Sequence, residues 1–104
     1  MSQPLPISFT RRAAEQTEAA WRWWRENRTK APEAFREELE QALQLVASQP
    51  EIGAMAQSAR LAGVRRVLLS RVGYHLYYRV LEAPPRSLEV LALWHASRGD
   101  KPEM

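Results

Sequence analysis

The 104-residue chain contains no cysteine, only four glycines and only two histidines, His75 and His95. The lack of cysteine excludes disulfide bonds, thiolate nucleophiles and cysteine-ligated zinc, and it fits a reducing compartment. Paired carboxylates, metal-ligand spacings, a phosphate-binding glycine loop and a serine triad are also missing, so we expect no metal and no cofactor. These absences leave few groups for hydrolytic chemistry, and they favour a binding protein over an enzyme.

Long apolar runs are missing as well. No stretch approaches the roughly 18 apolar residues of a membrane-spanning helix, and the first dozen residues lack the apolar run of a secretory signal. We therefore expect a cytoplasmic protein that makes no membrane contact. Its length and its 45% content of hydrophobic residues match one globular domain over residues 1–104. Within that domain, residues 1–4 and 99–104 are expected to be flexible.

Arginine is what the chain has in excess, since it supplies 13 of the 15 basic residues. Residues 1–50 carry seven basic and seven acidic side chains, whereas residues 51–104 carry eight and five. Between Arg60 and Arg79 there are five arginines and no carboxylate. Guanidinium groups suit bidentate contacts with carboxylate or phosphate. This segment therefore predicts a basic surface for an acidic partner, with binding that weakens as salt rises.

The first half of the chain predicts a short strand followed by two helices. Residues 5–9 have strand character, and Pro6 favours an edge position. Thr10 can cap the helix that follows, which should end near residues 27–30. Pro32 suits the first position of a second helix. The apolar stripe of that helix consists of Phe35, Leu39, Ala42, Leu43 and Val46.

The second half predicts a loop and then three strands. Residues 51–63 are interpreted as a loop, and residues 64–70, 74–81 and 87–94 as strands. Gly73 can adopt the positive φ of a hairpin turn. Helices followed by antiparallel strands indicate an α+β domain with the element order β-α-α-β-β-β. In this domain a helical hairpin packs on one face of an antiparallel sheet.

Three segments of the second half form a recognisable set: Val64-Arg65-Arg66-Val67-Leu68, Gly73-Tyr74-His75-Leu76-Tyr77-Tyr78-Arg79-Val80 and Trp94-His95-Ala96-Ser97-Arg98. With the predicted order of elements, this set resembles the RelE/ParE family of bacterial toxin–antitoxin toxins. The resemblance spans residues 7–102. It implies a toxin that a small cognate antitoxin holds inactive in a hetero-oligomeric complex.

Two kinds of toxin belong to this family. RelE-like members cleave mRNA on the ribosome, whereas ParE-like members inhibit DNA gyrase and lack nuclease chemistry. If the chain is a nuclease, its catalytic residues are expected to be Arg66, His75, Arg79 and His95. However, the residue after Tyr74 is His75 and not arginine, and Leu68 stands where a further cation is expected. Fewer cations mean less electrostatic stabilisation of charge on the phosphate.

The ParE-like pattern is matched by Tyr74, Tyr77 or Tyr78, Arg79, His95 and Arg98. The resemblance therefore favours a gyrase inhibitor. The alternatives are a ribosome-dependent mRNA endoribonuclease and a non-toxic, antitoxin-binding member of the family.

The two histidines and three tyrosines have competing interpretations. His75 and His95 could serve as general base and acid; alternatively, His95 caps the last strand and His75 lies on a partner-binding face. Strand alternation places Tyr74 and Tyr78 on the apolar face of the sheet, so Tyr77 is the expected contact residue.

The expected binding residues fall into two sets. Target-binding residues are expected to be Arg65, Arg66, Arg71, His75, Tyr77, Arg79, His95 and Arg98. Antitoxin-binding residues are expected to be Trp23, Arg66, Arg79 and Trp94. Trp23 is included because adjacent helix positions are about 100° apart, so that Trp21, Trp23 and Trp24 cannot all be buried.

Overall fold

The computed structural model describes residues 3–58 and 60–104, and it packs two helices on one face of a five-stranded sheet. The elements are β1 (Ile7–Phe9), α1 (Arg11–Asn27), α2 (Ala34–Ser48), β2 (Ala54–Met55), β3 (Arg65–Leu69), β4 (Tyr74–Leu81) and β5 (Ser87–His95). This confirms the predicted α+β class. Neither helix in these residues is both long and apolar enough to cross a membrane.

The sheet has the order β1-β5-β4-β3-β2. All neighbours are antiparallel except β1 and β5, which pair in parallel from Ile7 opposite Leu88 to Phe9 opposite Val90. The sheet is therefore mixed and not purely antiparallel as predicted. β1 is an edge strand, as Pro6 indicated, and it is shorter than the predicted residues 5–9.

The start of α1 follows the prediction. Thr10 has an extended backbone, and its Oγ1 accepts a hydrogen bond from the Ala13 amide (3.1 Å), which satisfies one of the free N–H groups of the first turn. α2 starts at Ala34, two residues later than predicted. The Ala31 carbonyl accepts bonds from the Ala34 amide (3.1 Å) and the Trp24 indole (2.8 Å), and these hold residues 31–33 in a turn.

The predicted loop at residues 51–63 contains a strand. β2 pairs with β3, Ala54 lying opposite Arg66 and Met55 opposite Arg65. A strand of two residues is too short to produce an alternating pattern, which is why the sequence did not indicate it. Ala59, within the predicted loop, and residues 1–2, within the predicted flexible start, lie outside the described residues.

Each face of the sheet is covered by its own cluster of buried residues. The helix-side face carries Leu76, Tyr78, Leu88, Val90 and Leu93, which pack with Phe35, Leu39 and Val46 of α2 and Ala13 of α1. The opposite face, called here the tail-side face, carries Val64, Tyr77, Leu91 and Ala92, with Met104 packed against them. β5 is thus buried on both faces, as its apolar sequence predicted.

The β3–β4 turn is held by a carboxylate from α2. Gly73 has φ +79°, as predicted, and the amides of Arg71 (3.1 Å) and Val72 (2.9 Å) donate to the two carboxylate oxygens of Glu38. Glu38→Ala removes both acceptors, and we expect the free energy of unfolding to fall by about 1–2 kcal/mol. Urea unfolding measures this. Glu40→Ala, on an exposed position of the same helix, is the control and should change stability little; equal losses would contradict the role of Glu38.

Candidate functional site

The predicted site residues gather mainly on the tail-side face, where three neighbouring strands present them. The strand register places Arg66 opposite Tyr77, His75 opposite Trp94 and Arg79 opposite Glu89. Because side chains alternate along a strand, all six point to the same side of the sheet.

Tyr77 lies at the base of this face and not on its surface. Its side chain is 4% exposed and packs with Val64, Leu91 and Ala92. Its hydroxyl accepts a bond from Arg66 Nη1 at 3.3 Å. The expectation that Tyr77 is an exposed contact residue is therefore corrected, because the alternation that moves it away from the helices moves it into the second cluster.

Arg66 and Leu68 form the accessible part of the face. Arg66 is exposed and makes no ion pair within the described residues, so its charge stays available. Leu68 lies opposite His75 and is 54% exposed. Leu68 and Arg66 therefore offer apolar area and positive charge side by side on one accessible surface. Sequence reasoning did not select Leu68, since a leucine in a strand is ordinarily expected to be core.

His75 is half-buried between this surface and the cluster beneath it. Its ring lies 6.1 Å from that of Tyr77. Burial lowers the pKa of His75 below its ordinary value, and the positive charge of Arg66 lowers it further.

The lowered pKa of His75 predicts a loss of stability in acid. The folded chain binds fewer protons than the unfolded chain, so the free energy of unfolding falls as pH drops through and below about 6.5. Between about pH 7.5 and 5.5 this fall should be smaller in His75→Gln. Urea unfolding at both pH values checks it, and an NMR titration should show His75 titrating below about 6.5. A midpoint at or above that value would contradict the prediction.

His95 lies on the opposite face from His75. It is paired with Tyr74, and the two rings are 5.1 Å apart; Tyr74 in turn contacts Phe35 of the core. The His95 Nδ1 lies 3.2 Å from the Ser97 amide, which donates to it, at the end of β5. The sheet thus separates the two candidate acid–base groups and does not bring them together.

Two of the arginines expected to lack carboxylate partners have them. Arg79 Nε lies 2.9 Å from Glu89 Oε1, and the two side chains are only 29% and 22% exposed. Arg71 lies 3.7 Å from Glu37 of α2 in a more exposed pair. This corrects the expectation drawn from residues 60–79, because the acids come from other segments of the chain.

Arg65 and Arg98 have local partners as well. Arg65 Nη1 donates to the carbonyls of Gly53 (2.8 Å) and Glu51 (3.2 Å), which fixes the segment before β2. The Arg98 guanidinium lies 3.7 Å from the centroid of the Trp94 ring, and Arg98 pairs with Asp100 at 3.6 Å. Arg98 therefore joins the tail-side face through Trp94, whereas Arg65 stabilises the fold.

Trp23 is 45% exposed, as predicted. The guanidinium of Arg28 lies 5.0 Å from the centroid of its ring. Trp23 belongs to α1, in the helical layer, whereas Arg66, Arg79 and Trp94 belong to the tail-side face. The four expected antitoxin-binding residues therefore lie on two separate surfaces.

The C-terminal segment contacts the sheet, although flexibility was expected for residues 99–104. Pro102 is buried, Arg12 Nη1 donates to the Glu103 carbonyl (3.0 Å), and the Trp94 indole donates to the Asp100 carbonyl (3.1 Å). Next to the segment lies a groove of about 460 Å³. Its charged lining consists of Arg11, Arg12, Arg60, Arg79, Glu89 and Glu103. No sequence signal indicated this groove, because Arg12 and Glu103 are 91 positions apart.

Comparison with known proteins agrees with this architecture. The family described as the ParE toxin of type II toxin–antitoxin system, parDE, matches residues 7–99. A solved structure titled as a chromosomal ParDE TA system from P. aeruginosa contains a similar chain, with a TM-score of 0.63 and 24% identity over 92% of this chain and 100% of that chain. No curated protein matches the sequence significantly.

Proposed function

We propose, from the premise that this chain belongs to the ParE toxin family of type II toxin–antitoxin systems, that it inhibits DNA gyrase when free of its antitoxin. Membership in this family implies an antitoxin partner. The identity of the inhibited target is the part that we propose.

The separation of His75 from His95 is the observation that carries this proposal. A ribonuclease that used the pair would need both imidazoles within hydrogen-bond reach of one phosphate and its 2′-hydroxyl. Here they lie on opposite faces of the sheet. In addition, Glu89 neutralises Arg79, which would otherwise stabilise charge on the phosphate. Inhibition by binding needs neither arrangement.

The accessible tail-side face is the proposed contact for gyrase. Arg66 supplies a charge that has no ion partner in the described part of the chain, and Leu68 supplies apolar area. His75 lies between that charge and the core. Arg98 on Trp94 extends the same surface. Charge of one sign speeds the encounter with an acidic partner, so inhibition should weaken as ionic strength rises.

Trp23 is the proposed anchor for the antitoxin on the helical layer. A half-exposed tryptophan with an arginine over its ring is the kind of residue that dominates protein interfaces. Arg66, Arg79 and Trp94 are proposed as the antitoxin contacts on the sheet. An antitoxin that covered both surfaces would block the target contact at Arg66 directly.

A gyrase supercoiling assay tests the proposed function. Purified toxin should inhibit the supercoiling of relaxed plasmid in a dose-dependent manner, and the antitoxin encoded beside the toxin gene should restore it. The matched control incubates the same preparation with translating ribosomes, where the mRNA should stay intact. Unimpaired supercoiling at saturating toxin would refute the proposal, and codon-positioned mRNA cuts in the control would replace it with the RelE-like activity.

A further inference from the structure

Residues 98–104 lie across the tail-side face as a strap. Pro102 is buried, and the side chain of Met104 packs on the cluster that contains Val64, Tyr77, Leu91 and Ala92. Two hydrogen bonds also join the strap to the rest of the domain. The Trp94 indole donates to the Asp100 carbonyl, and Arg12 donates to the Glu103 carbonyl. Residues 100–104 lie outside the part of the chain that the ParE family matches.

Two open grooves flank the strap. A groove of about 460 Å³ lies along one side of Glu103 and Met104. A second groove, of about 440 Å³, lies between these two residues and Gln57, Ser58 and Arg60. The ion pair of Arg12 with the Glu103 carboxylate is long, at 3.7 Å, and its side chains are 53% and 90% exposed. Such an exposed pair contributes little to stability. What holds the strap is mainly Met104 and Pro102.

The surface beneath the strap has a defined chemistry. It combines the apolar cluster that receives Met104 with the guanidinium groups of Arg12 and Arg60. Arg79 is already paired with Glu89, and Arg11 lies 3.6 Å from Glu15. Release of Glu103 would remove the ion partner that Arg12 has in the described residues. Arg60 lines the same groove and has no ion pair in these residues. A ligand with a carboxylate next to a flexible apolar side chain fits this surface, because the carboxylate can pair with a guanidinium and the apolar side chain can pack on the cluster.

We propose that residues 98–104 are a self-binding strap over a peptide-binding groove, and that an acidic partner segment with a carboxylate beside a Met- or Leu-like residue binds there by displacing it. The chain's own Glu103-Met104 shows the chemistry that fits. The apparent association constant for the partner is the intrinsic constant multiplied by the fraction of time that the groove is open, so the strap weakens binding. This inference concerns the free chain, and it does not depend on gyrase being the target.

A labelled synthetic peptide of residues 98–104 is the probe, and fluorescence anisotropy with the full-length protein is the measurement. The strap is weakened by the double variant Glu103→Gln/Met104→Ser, and Pro102→Gly provides an independent second variant. We expect both variants to bind the peptide at least about fivefold more tightly than the wild type. A peptide with Gln and Ser at the positions of Glu103 and Met104 should not bind. Arg12→Gln in the double variant should weaken binding, whereas the remote Arg36→Gln should not.

The Trp94 indole N–H reports the position of the strap independently, because it donates to the Asp100 carbonyl. Its hydrogen exchange, followed by NMR, should be faster in both variants. Equal peptide affinity in wild type and variants, no binding to any of them, or an unchanged indole exchange rate would each overturn the proposal. Neither gyrase nor antitoxin is present, so failure here is distinct from failure of the proposed function.

Discussion

Tyr78→Phe is expected to lower the free energy of unfolding by about 2 kcal/mol, although it removes only one oxygen atom. Tyr78 is fully buried, and its hydroxyl serves two backbone groups at once. It donates to the Pro50 carbonyl (2.8 Å) and accepts from the Gly53 amide (3.0 Å). Phenylalanine leaves both groups without this partner, and Gly53 is itself buried. Leaving a buried polar group without a hydrogen-bond partner costs more free energy than a typical hydrogen bond contributes to stability.

Tyr74→Phe provides the matched control. It makes the same chemical change in the same strand, but the Tyr74 hydroxyl has no hydrogen bond within the described residues. Urea unfolding of the three proteins should give a loss for Tyr78→Phe and a change within about 0.5 kcal/mol for Tyr74→Phe. Similar losses in the two variants would contradict the proposed bridge.

Gly53→Ala examines the same bridge from the other side. A Cβ at Gly53 would lie 2.6 Å from the Tyr78 hydroxyl and 3.0 Å from the Arg66 carbonyl, so the hydroxyl must move. We expect a cost of about 1–3 kcal/mol. In the double variant with Tyr78→Phe the nearer of the two oxygens, the Tyr78 hydroxyl, is gone, and the combined loss should be smaller than the sum of the two single losses. Strict additivity would show that the two sites do not interact.

Arg66→Gln is expected to weaken inhibition of the target at least about tenfold, the loss of about 1.4 kcal/mol of binding free energy. Its side chain is exposed, and among residues 3–58 and 60–104 its guanidinium makes one hydrogen bond, to the Tyr77 hydroxyl at 3.3 Å. Stability should therefore change by no more than about 0.5 kcal/mol. The supercoiling assay gives the concentration for half-inhibition, and urea unfolding gives stability.

Two other arginines separate a binding role from a structural one. Arg36→Gln, on the exposed side of α2, should leave both inhibition and stability near wild type. Arg79→Gln should lower stability, because it leaves the half-buried Glu89 carboxylate without its partner. If Arg66→Gln inhibits as well as the wild type, the tail-side face is not the target contact.

The sequence predicted well those features that depend on neighbouring residues. The Thr10 cap, the end of α1, the strand over residues 74–81 and the turn at Gly73 all depend on local backbone and side-chain preferences. The helical layer and the apolar β5 followed from periodicity in the same way. The start of α2 was misplaced by two residues, because hydrogen bonds from the Trp24 indole and the Ala34 amide to the Ala31 carbonyl hold residues 31–33 in a turn.

Features that depend on strand register could not be predicted. The pairing of Tyr74 with His95, and of His75 with Trp94, places the histidines on opposite faces, and no spacing within one strand reveals it. The Arg79–Glu89 pair has the same origin. The register also shifts between Tyr77 and Tyr78, where Leu91 is the extra residue of β5. The strap is a further case, since its contacts join the two ends of the chain.

The parallel pairing of β1 with β5 has a consequence for the timing of folding. Within the described residues, β1 pairs with one strand, and its partners in that strand, residues 88–90, lie 81 positions further along the chain. The hydrogen bond from the Thr10 amide to the Val90 carbonyl likewise cannot form until Val90 has been synthesised. Contacts of such large sequence separation form late and slowly. A ribosome still translating this message therefore carries a nascent chain in which the sheet is incomplete, and the cell meets the finished protein only after elongation has passed β5.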